Sequence, residues 1–383
     1  MHSAFCVAAV VGAWAHEGGG AFHSNGDIFA IDRTLIEGLD ALDKNVRVID
    51  MSRIGAALTG DTRDLGDGPP ITAMLIQNTN PMAVAPDLTK VHQGFAREDL
   101  FVCVHEQFMT ETAKMADIVL PATMFLEHDD IYRGGGHQYV GMGAKVIDGP
   151  ELCRSNHFVV CELAKRLGAE HRGFAMTAWQ LIDETLKVSG YPDADSLNEK
   201  HWIDRQPDFD TSHFRNGFAH PDGKFHFKAD WSSLGPTKFG PEGALETMPA
   251  LPDHWAVIEQ TSDVMPFKLV TAPARNYLNS SFTETETSIK KEGEPHVKIH
   301  PLDAAELDVI EGARVRLGNN RGNIVVKARL VEGMRQGVVI VESIWPNAAF
   351  EEGIGINALT GADPTAPIGG AAFHDNAIWI RKV

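Results

Sequence analysis

Apolar and polar positions follow two different rules along this chain, and the change falls near Phe267. Before it, apolar residues come as short continuous runs set between polar, helix-permissive segments. Residues 100–104 (LFVCV) and 118–120 (IVL) are two such runs, with Thr110, Glu111, Thr112 and Lys114 between them; the pattern predicts a strand, a helix and a strand. Residues 71–76, which follow the Pro69-Pro70 stop, read as a buried parallel strand, and residues 46–49 as a shorter β-branched one. Leu88, Val91 and Phe95 fall at helical spacing between two of these runs. Such a succession predicts an α/β domain on a doubly wound, mostly parallel sheet.

Farther along, Val160, Leu163, Ala164 and Leu167 define the apolar face of a helix for which Ser155 or Asn156 is the N-cap. Trp179, Ile182 and Leu186 mark another helix, which Gly190 ends. Residues 4–15 are apolar and stop at His16-Glu17-Gly18-Gly19-Gly20. They read as a buried helix; as a signal peptide they would lack the basic n-region. Residues 191–265 shift toward Pro, Gly, Asp and aromatic residues and read as a connector, with one strand at 224–228.

Beyond Phe267 the period becomes two. Val297 and Ile299, Val315 and Leu317, then Ile324, Val326, Ala328 and Leu330 alternate with polar residues. Glu311-Gly312, Asn319-Asn320-Arg321-Gly322 and Glu332-Gly333 separate them as turns. Closely spaced strands of this kind predict a small closed β-barrel. The expected domains are therefore an α/β domain over 1–190, a connector over 191–265 and a barrel over 266–383.

Charge narrows the partners. A formal charge of −18 and a pI near 5.3 argue against nucleic acid or an acidic membrane surface, and no run is long enough to span a bilayer. Phosphate-bearing ligands stay open, because backbone N–H groups and amide side chains hold phosphate without a basic surface. Cys6, Cys103, Cys153 and Cys161 show no zinc or iron–sulfur spacing and are expected as buried free thiols. His16-Glu17 with His23, and Glu127-His128-Asp129-Asp130, lack the i, i+4 spacing of a metal-binding helix, so no protein-held metal is expected.

In open parallel sheets ligands bind beyond the carboxyl ends of the strands. Gln77, Asn78, Thr79 and Asn80 follow one predicted strand there. Their amides can read a pterin or purine edge, or Asn80-Pro81 simply sets an Asx turn. His105 and Glu106 follow the next strand. Asp117, just before the third, reads as structural.

Two segments carry a resemblance to one family. The run ETAKMADIVLPATMFLEHDD, residues 111–130, resembles a segment of the molybdopterin oxidoreductases of the dimethyl sulfoxide reductase family. The run VKIHPLDAAELDVIEGARVRLGNNRGNIVVKARL, residues 297–330, is similar to that family's C-terminal molybdopterin-dinucleotide-binding barrel, which is double-psi-like. The resemblance implies a partial Rossmann-like domain ahead of the barrel and a molybdopterin guanine dinucleotide carrying molybdenum or tungsten. It also implies which residues face that cofactor: Asn78, Asn80, His105, Glu106, His128 and Asn156 in the α/β part. In the loop TAPARNYLNSSFT (271–283) they are Thr271, Arg275, Asn279 and Ser280; near the C-terminus they are Asn357, in an N-x-L-T turn, and His374. Arg275 reads equally as a surface residue when the family is set aside.

The segments matched correspond to the later part of the family's catalytic subunit. No metal-ligating residue and no iron–sulfur segment is visible, so the resemblance implies that these lie in a missing N-terminal part or a partner subunit. The expectation is thus the C-terminal portion of a two-electron oxidoreductase, cytoplasmic, or periplasmic if the full-length enzyme has an export signal. Its electron-transfer partner is unidentified. Two other classes are a non-catalytic cofactor-binding or assembly subunit, or an inactive truncated fragment, and a hydrolase built on the His and Asp clusters.

Overall fold

The computed structural model describes residues 2–23, 26–231, 249–251, 253, 259–365 and 369–383. Contacts group them into two compact units, each with its own core. The first unit joins residues 48–119 to the described part of 255–383; the second joins the described part of 1–47 to 120–230. This grouping cuts across the sequence boundaries for a physical reason. Ile76, Val91, Val102 and Val104 share one hydrophobic core with Leu269, Val297, Leu317 and Val339 of the barrel. Tyr191, Ala194 and Leu197, from the expected connector, share the other core with Val140, Ile182 and Leu186.

In the first unit a three-stranded sheet runs in chain order: β1 (Ala73–Gln77), β2 (Phe101–Glu106) and β3 (Ile118–Pro121). β1 and β2 are parallel, with Leu75 opposite Cys103. The Asp117 carboxylate accepts from the Val102 N–H at 2.7 Å, which fixes the start of β3 beside β2, a structural role as expected. Thr110 caps the intervening helix Glu111–Met115 by accepting from the Ala113 N–H. The helices Ile54–Leu58 and Leu88–Phe95 cross in contact: a Cβ at Gly55 would lie 2.8 Å from the Val91 nitrogen, and one at Gly94 2.4 Å from the Leu58 Cβ. Only glycine allows so close a crossing. The parallel sheet and its helices were legible; within these three strands the order does not reverse.

The barrel is closed by six strands: β4 (Phe267–Ala272), β5 (His296–Ile299), β6 (Arg314–Gly318), β7 (Asn323–Leu330), β8 (Val338–Glu342) and β9 (Asn376–Lys382). Their order around it is β7-β5-β8-β4-β9-β6. β7 with β5 and β8 with β4 are parallel; the other neighbours are antiparallel. Exchanging β4, β5, β6 for β7, β8, β9 maps this order onto itself, the internal two-fold of a double-psi barrel. Alternate residues such as Val297, Ile299, Val315 and Leu317 are buried, as period two requires.

In the second unit, strands Asp130–Tyr132, Tyr139–Gly143 and Trp202–Asp204 pair antiparallel. Helix Ala178–Val188 starts on a Thr177–Gln180 capping box, and Gly190 follows its end with φ 76°. Ser155 caps Asn156–Leu167, accepting from the Phe158 N–H, so Asn156 is the first helical residue.

Several local expectations are corrected. Residues 46–49 form no strand; Val46 and Val48 are exposed and find no ladder partner among the described residues. Residues 224–228 form none either: Asp222 accepts from the Lys224 N–H to turn the chain, and Phe225 packs on Trp14 and Phe218. The N-terminal helix, His2–Val10, buries Cys6 and Ala8 but leaves Val7 and Val10 exposed. Of the four thiols, all free, Cys6 alone is buried and the others are half-buried. Of the connector, residues 232–248, 252 and 254–258 lie outside the described residues.

Candidate functional site

Within the first unit a cavity of about 620 Å³ opens where the carboxyl end of β1 meets the ends of β4 and β8, a volume suited to a ligand of cofactor size. Thr79, after β1, forms part of its wall, with Pro81 and Val84 from the short helix that follows. Thr271, Ala272, Ala274 and Asn279 come from β4 and its loop, Ser343 from the end of β8, and Asn357, Phe373 and His374 from the segment before β9. Much of the wall is apolar, including Ile54, Ile71, Met74 and Ile356. No Lys or Arg lines it among the described residues.

Four of the sequence-predicted residues, Thr271, Asn279, Asn357 and His374, are thus brought together. Arg275 and Ser280 stand beside this wall; Arg275 is exposed, with no ion pair to any described residue. Asn78 adjoins the lining Thr79, and its own side chain is exposed. Asn80 is buried, and its amide oxygen and nitrogen are both paired within the protein. Its Nδ2 donates to Glu111 Oε2 at 3.0 Å, and its Oδ1 accepts from the Thr112 N–H at 3.2 Å and hydroxyl at 2.7 Å. A buried amide must be paired, and here that pairing makes Asn80 a clamp between the β1 loop and the helix Glu111–Met115.

Asn357 acts in the same way. Its Nδ2 donates to the carbonyls of Ala83, at 3.2 Å, and Val84, at 2.9 Å, and the Thr360 hydroxyl lies 3.3 Å from its Oδ1. His105 is buried, and its Nδ1 lies 3.0 Å from Gln77 Nε2. Glu106 accepts from the Gln107 N–H. Neither lines the cavity. His128, whose Nδ1 lies 2.8 Å from the Thr123 hydroxyl, and Asn156 belong to the other unit.

Two polar groups of the wall were missed by sequence reasoning. Asp50 is buried, and its Oδ1 accepts from the Ser52 N–H and hydroxyl while Oδ2 accepts from the Gly370 N–H at 2.7 Å. Burial alone would push its pKa up, but the Ser52 and Gly370 hydrogen bonds outweigh it and hold the carboxyl below its ordinary value. Its signal was the Asp-x-Ser cap before the apolar residues 54–58, masked by the strand-like composition of 46–49. Next to it, Arg53 is buried against Asp61 at 2.6 Å and Asp64 at 2.9 Å.

The second missed residue is Ser343. Its hydroxyl is buried and has no hydrogen-bond partner within the described protein. Its backbone is in the left-handed region, φ 74°, as is that of Asn279, φ 52°; Asn78, Asp87 and Asp375, each beside a wall residue, also have positive φ. Strained non-glycine backbones cluster at ligand sites in proteins generally, and here they gather around one cavity. No sequence signal announces such a backbone.

Among the described residues no His, Cys, Asp and Glu side chains gather to hold a metal ion, and no helix is long and apolar enough to cross a membrane. The lining itself, amide, hydroxyl and carboxylate groups set among apolar side chains, suits a large organic ligand with hydrogen-bonding edges and an apolar body.

Comparison with known proteins agrees with this. Residues 52–166 match the family model "Molybdopterin oxidoreductase", and residues 267–377 match "Molydopterin dinucleotide binding domain". Over 99% of its length the chain is 33% identical to "Probable oxidoreductase YoaE" of Bacillus subtilis, covering 53% of that protein. It is 27% identical to "Dimethyl sulfoxide reductase DmsA" of Escherichia coli over 74% of its length, covering 38% of it. The chain spans about half, or less, of the length of these relatives. Acetylene hydratase from Pelobacter acetylenicus has a similar fold, with a TM-score of 0.65 over 86% of this chain and 46% of that one, at 17% identity.

Proposed function

Because this chain belongs to the molybdopterin oxidoreductase family, which includes the dimethyl sulfoxide reductases, we propose that it is the C-terminal portion of a molybdenum or tungsten oxidoreductase. Its cavity takes part of a bis-molybdopterin guanine dinucleotide cofactor. The observation that carries this reading is Ser343, a buried hydroxyl left unpaired at the cavity wall. An unpaired buried donor costs about 1–3 kcal/mol, which a ligand acceptor would recover.

The other wall residues fit the same ligand. Asn279 presents both an amide donor and an acceptor. Asp50, held ionised, offers acceptors to the N–H edge of a purine or pterin. Arg275, exposed beside the mouth, supplies a cation for phosphate. Ile54, Met74 and Ile356 shed water from the ligand's rings. Asn80 and Asn357 serve by holding the loops that carry the wall. When bound, the cofactor supplies a two-electron redox centre for oxygen-atom or hydride-equivalent transfer.

The metal-ligating residue and any iron–sulfur cluster belong, on this reading, to polypeptide beyond the matched segments, and an electron-transfer partner docks on the whole assembly. On this reading the family modules follow one another in sequence as 1–190, 191–265 and 266–383, the first being shared between the two compact units, and the compartment is the cytoplasm, or the periplasm if the full-length enzyme has an export signal.

The test is calorimetric titration of guanosine monophosphate into the wild-type chain and Ser343→Ala. The variant should bind about tenfold more weakly while its melting temperature does not fall, since it loses a hydroxyl that had no partner. Equal binding by both proteins, or binding by neither, overturns the assignment of this cavity.

A further inference from the structure

Each compact unit leaves one apolar surface bare where folding physics calls for cover. In the first unit, β1, β2 and β3 succeed one another in a single direction, and right-handed crossovers taken in one direction place all connecting helices on one face. Leu88, Val91, Phe95 and Ala113 from those helices share the core with Ile76, Val102 and Val104. The other face carries Ala73 opposite Phe101 and Leu75 opposite Cys103. Leu75 is 40% exposed and Phe101 47%. Parallel sheets in α/β proteins are covered on both faces; on this face the next pair, Gln77 and His105, is half-buried and buried, but the Leu75 and Phe101 end is open.

In the second unit, Val160, Leu163 and Leu167 recur at i, i+3 and i+7 of the helix Asn156–Leu167, an apolar stripe of the kind that faces a core. Here they are 40%, 38% and 73% exposed, and Ala164 alone in the helix is buried. The amphipathic face that the sequence specifies is present and meets nothing among the described residues that buries it.

We infer that both faces are docking surfaces for the polypeptide that this chain's relatives possess beyond the matched half, presented as apolar helix faces. The length of the relatives names the occupant: the chain covers 53% of the Bacillus subtilis relative and 38% of the Escherichia coli one, so a comparable mass of family protein remains to be packed. A second copy is the poorer occupant, since each copy brings a formal charge of −18 and like net charges oppose association. The inference rests on the reading that the chain works with the rest of a family catalytic subunit, and it adds which surfaces receive that part.

The experiment is to co-express the chain with the segment of the Bacillus subtilis relative that lies outside the match, and to measure mass by light scattering and Cys103 alkylation by N-ethylmaleimide with mass spectrometry. A one-to-one complex is expected, with Cys103 modified about tenfold more slowly than in the chain alone. Phe101→Glu and Leu167→Glu should each weaken the complex about tenfold or more. Leu302→Glu, at a residue 57% exposed in the barrel unit, should not. All three sites are open to solvent, and circular dichroism checks that each variant is folded. Absence of a complex overturns the inference, as does a complex indifferent to both substitutions, or a homodimer that protects Cys103 unaided. None of these readouts involves nucleotide or metal, so their failure leaves the cofactor reading standing.

Discussion

Replacing Asn80 with alanine separates a structural clamp from a ligand contact. The side chain is 5% exposed and makes three hydrogen bonds, one to the Glu111 carboxylate and two from Thr112. The Glu111 carboxylate keeps one donor, the Asn347 N–H at 3.1 Å, and the Thr112 hydroxyl still accepts from the Met82 N–H. What is lost is the acceptor for two Thr112 donors in a residue with no exposure. At about 1–3 kcal/mol per buried group left unpaired, partly relieved by water entering the space, the cost is about 2–4 kcal/mol. For a unit of this size that lowers the melting temperature by about 5–15 °C. Differential scanning calorimetry measures it, with Arg275→Ala as the control, expected within about 0.5 kcal/mol of wild type because Arg275 is exposed and has no ion pair among the described residues. An Asn80→Ala protein as stable as wild type that has lost nucleotide binding would refute the reasoning and return Asn80 to the ligand.

Two further predictions concern the charged groups beside the cavity. The folded-state pKa of Asp50 is lowered, so its stabilising contribution is complete above its ordinary value of about 3.9 and is lost as pH falls through the folded pKa. Asp50→Asn should therefore be less stable than wild type at neutral pH, and urea titrations of the two should converge below about pH 4; a difference that persists into acid contradicts the hydrogen-bond account. Arg53→Met leaves Asp61 and Asp64 without their buried cation and should cost about 3–5 kcal/mol in urea unfolding, much of it recovered when both aspartates are also changed to asparagine.

Much of the fold was legible because it is written in local periodicity. The runs at 71–76 and 100–104 became β1 and β2, and the period-two residues from Val297 to Leu330 became buried barrel positions. Residues 46–49 misled because β-branched composition favours a strand only where a neighbour pairs with it. The site was legible by residue type and less so by role. Asn357 and Asn80 are polar residues at strand ends, as a ligand site needs, yet their partners, Ala83 and Val84 for one and Glu111 and Thr112 for the other, lie too far along the chain for spacing to reveal. Ser343 was invisible for a different reason: its significance is an unmet hydrogen bond and a left-handed backbone, neither of which composition encodes.

The strand order of the barrel bears on how this protein is made. Every one of its six ladders joins a strand of the set β4, β5, β6 to one of the set β7, β8, β9. Neither set can form a ladder by itself, and only the β6–β7 hairpin is local in sequence. Pairing across such separations is slow to nucleate. During synthesis the apolar faces of β4 and β5 must wait, unpaired, for β8 and β9 to leave the ribosome, and exposed strands of this kind invite aggregation. The wall of the cavity, built from the ends of β4 and β8 and the segment before β9, takes shape only when that last strand closes the ring. A ligand that needs this wall can be loaded only after translation has passed residue 382, so the supply of cofactor and the completion of the barrel are ordered in time by topology alone.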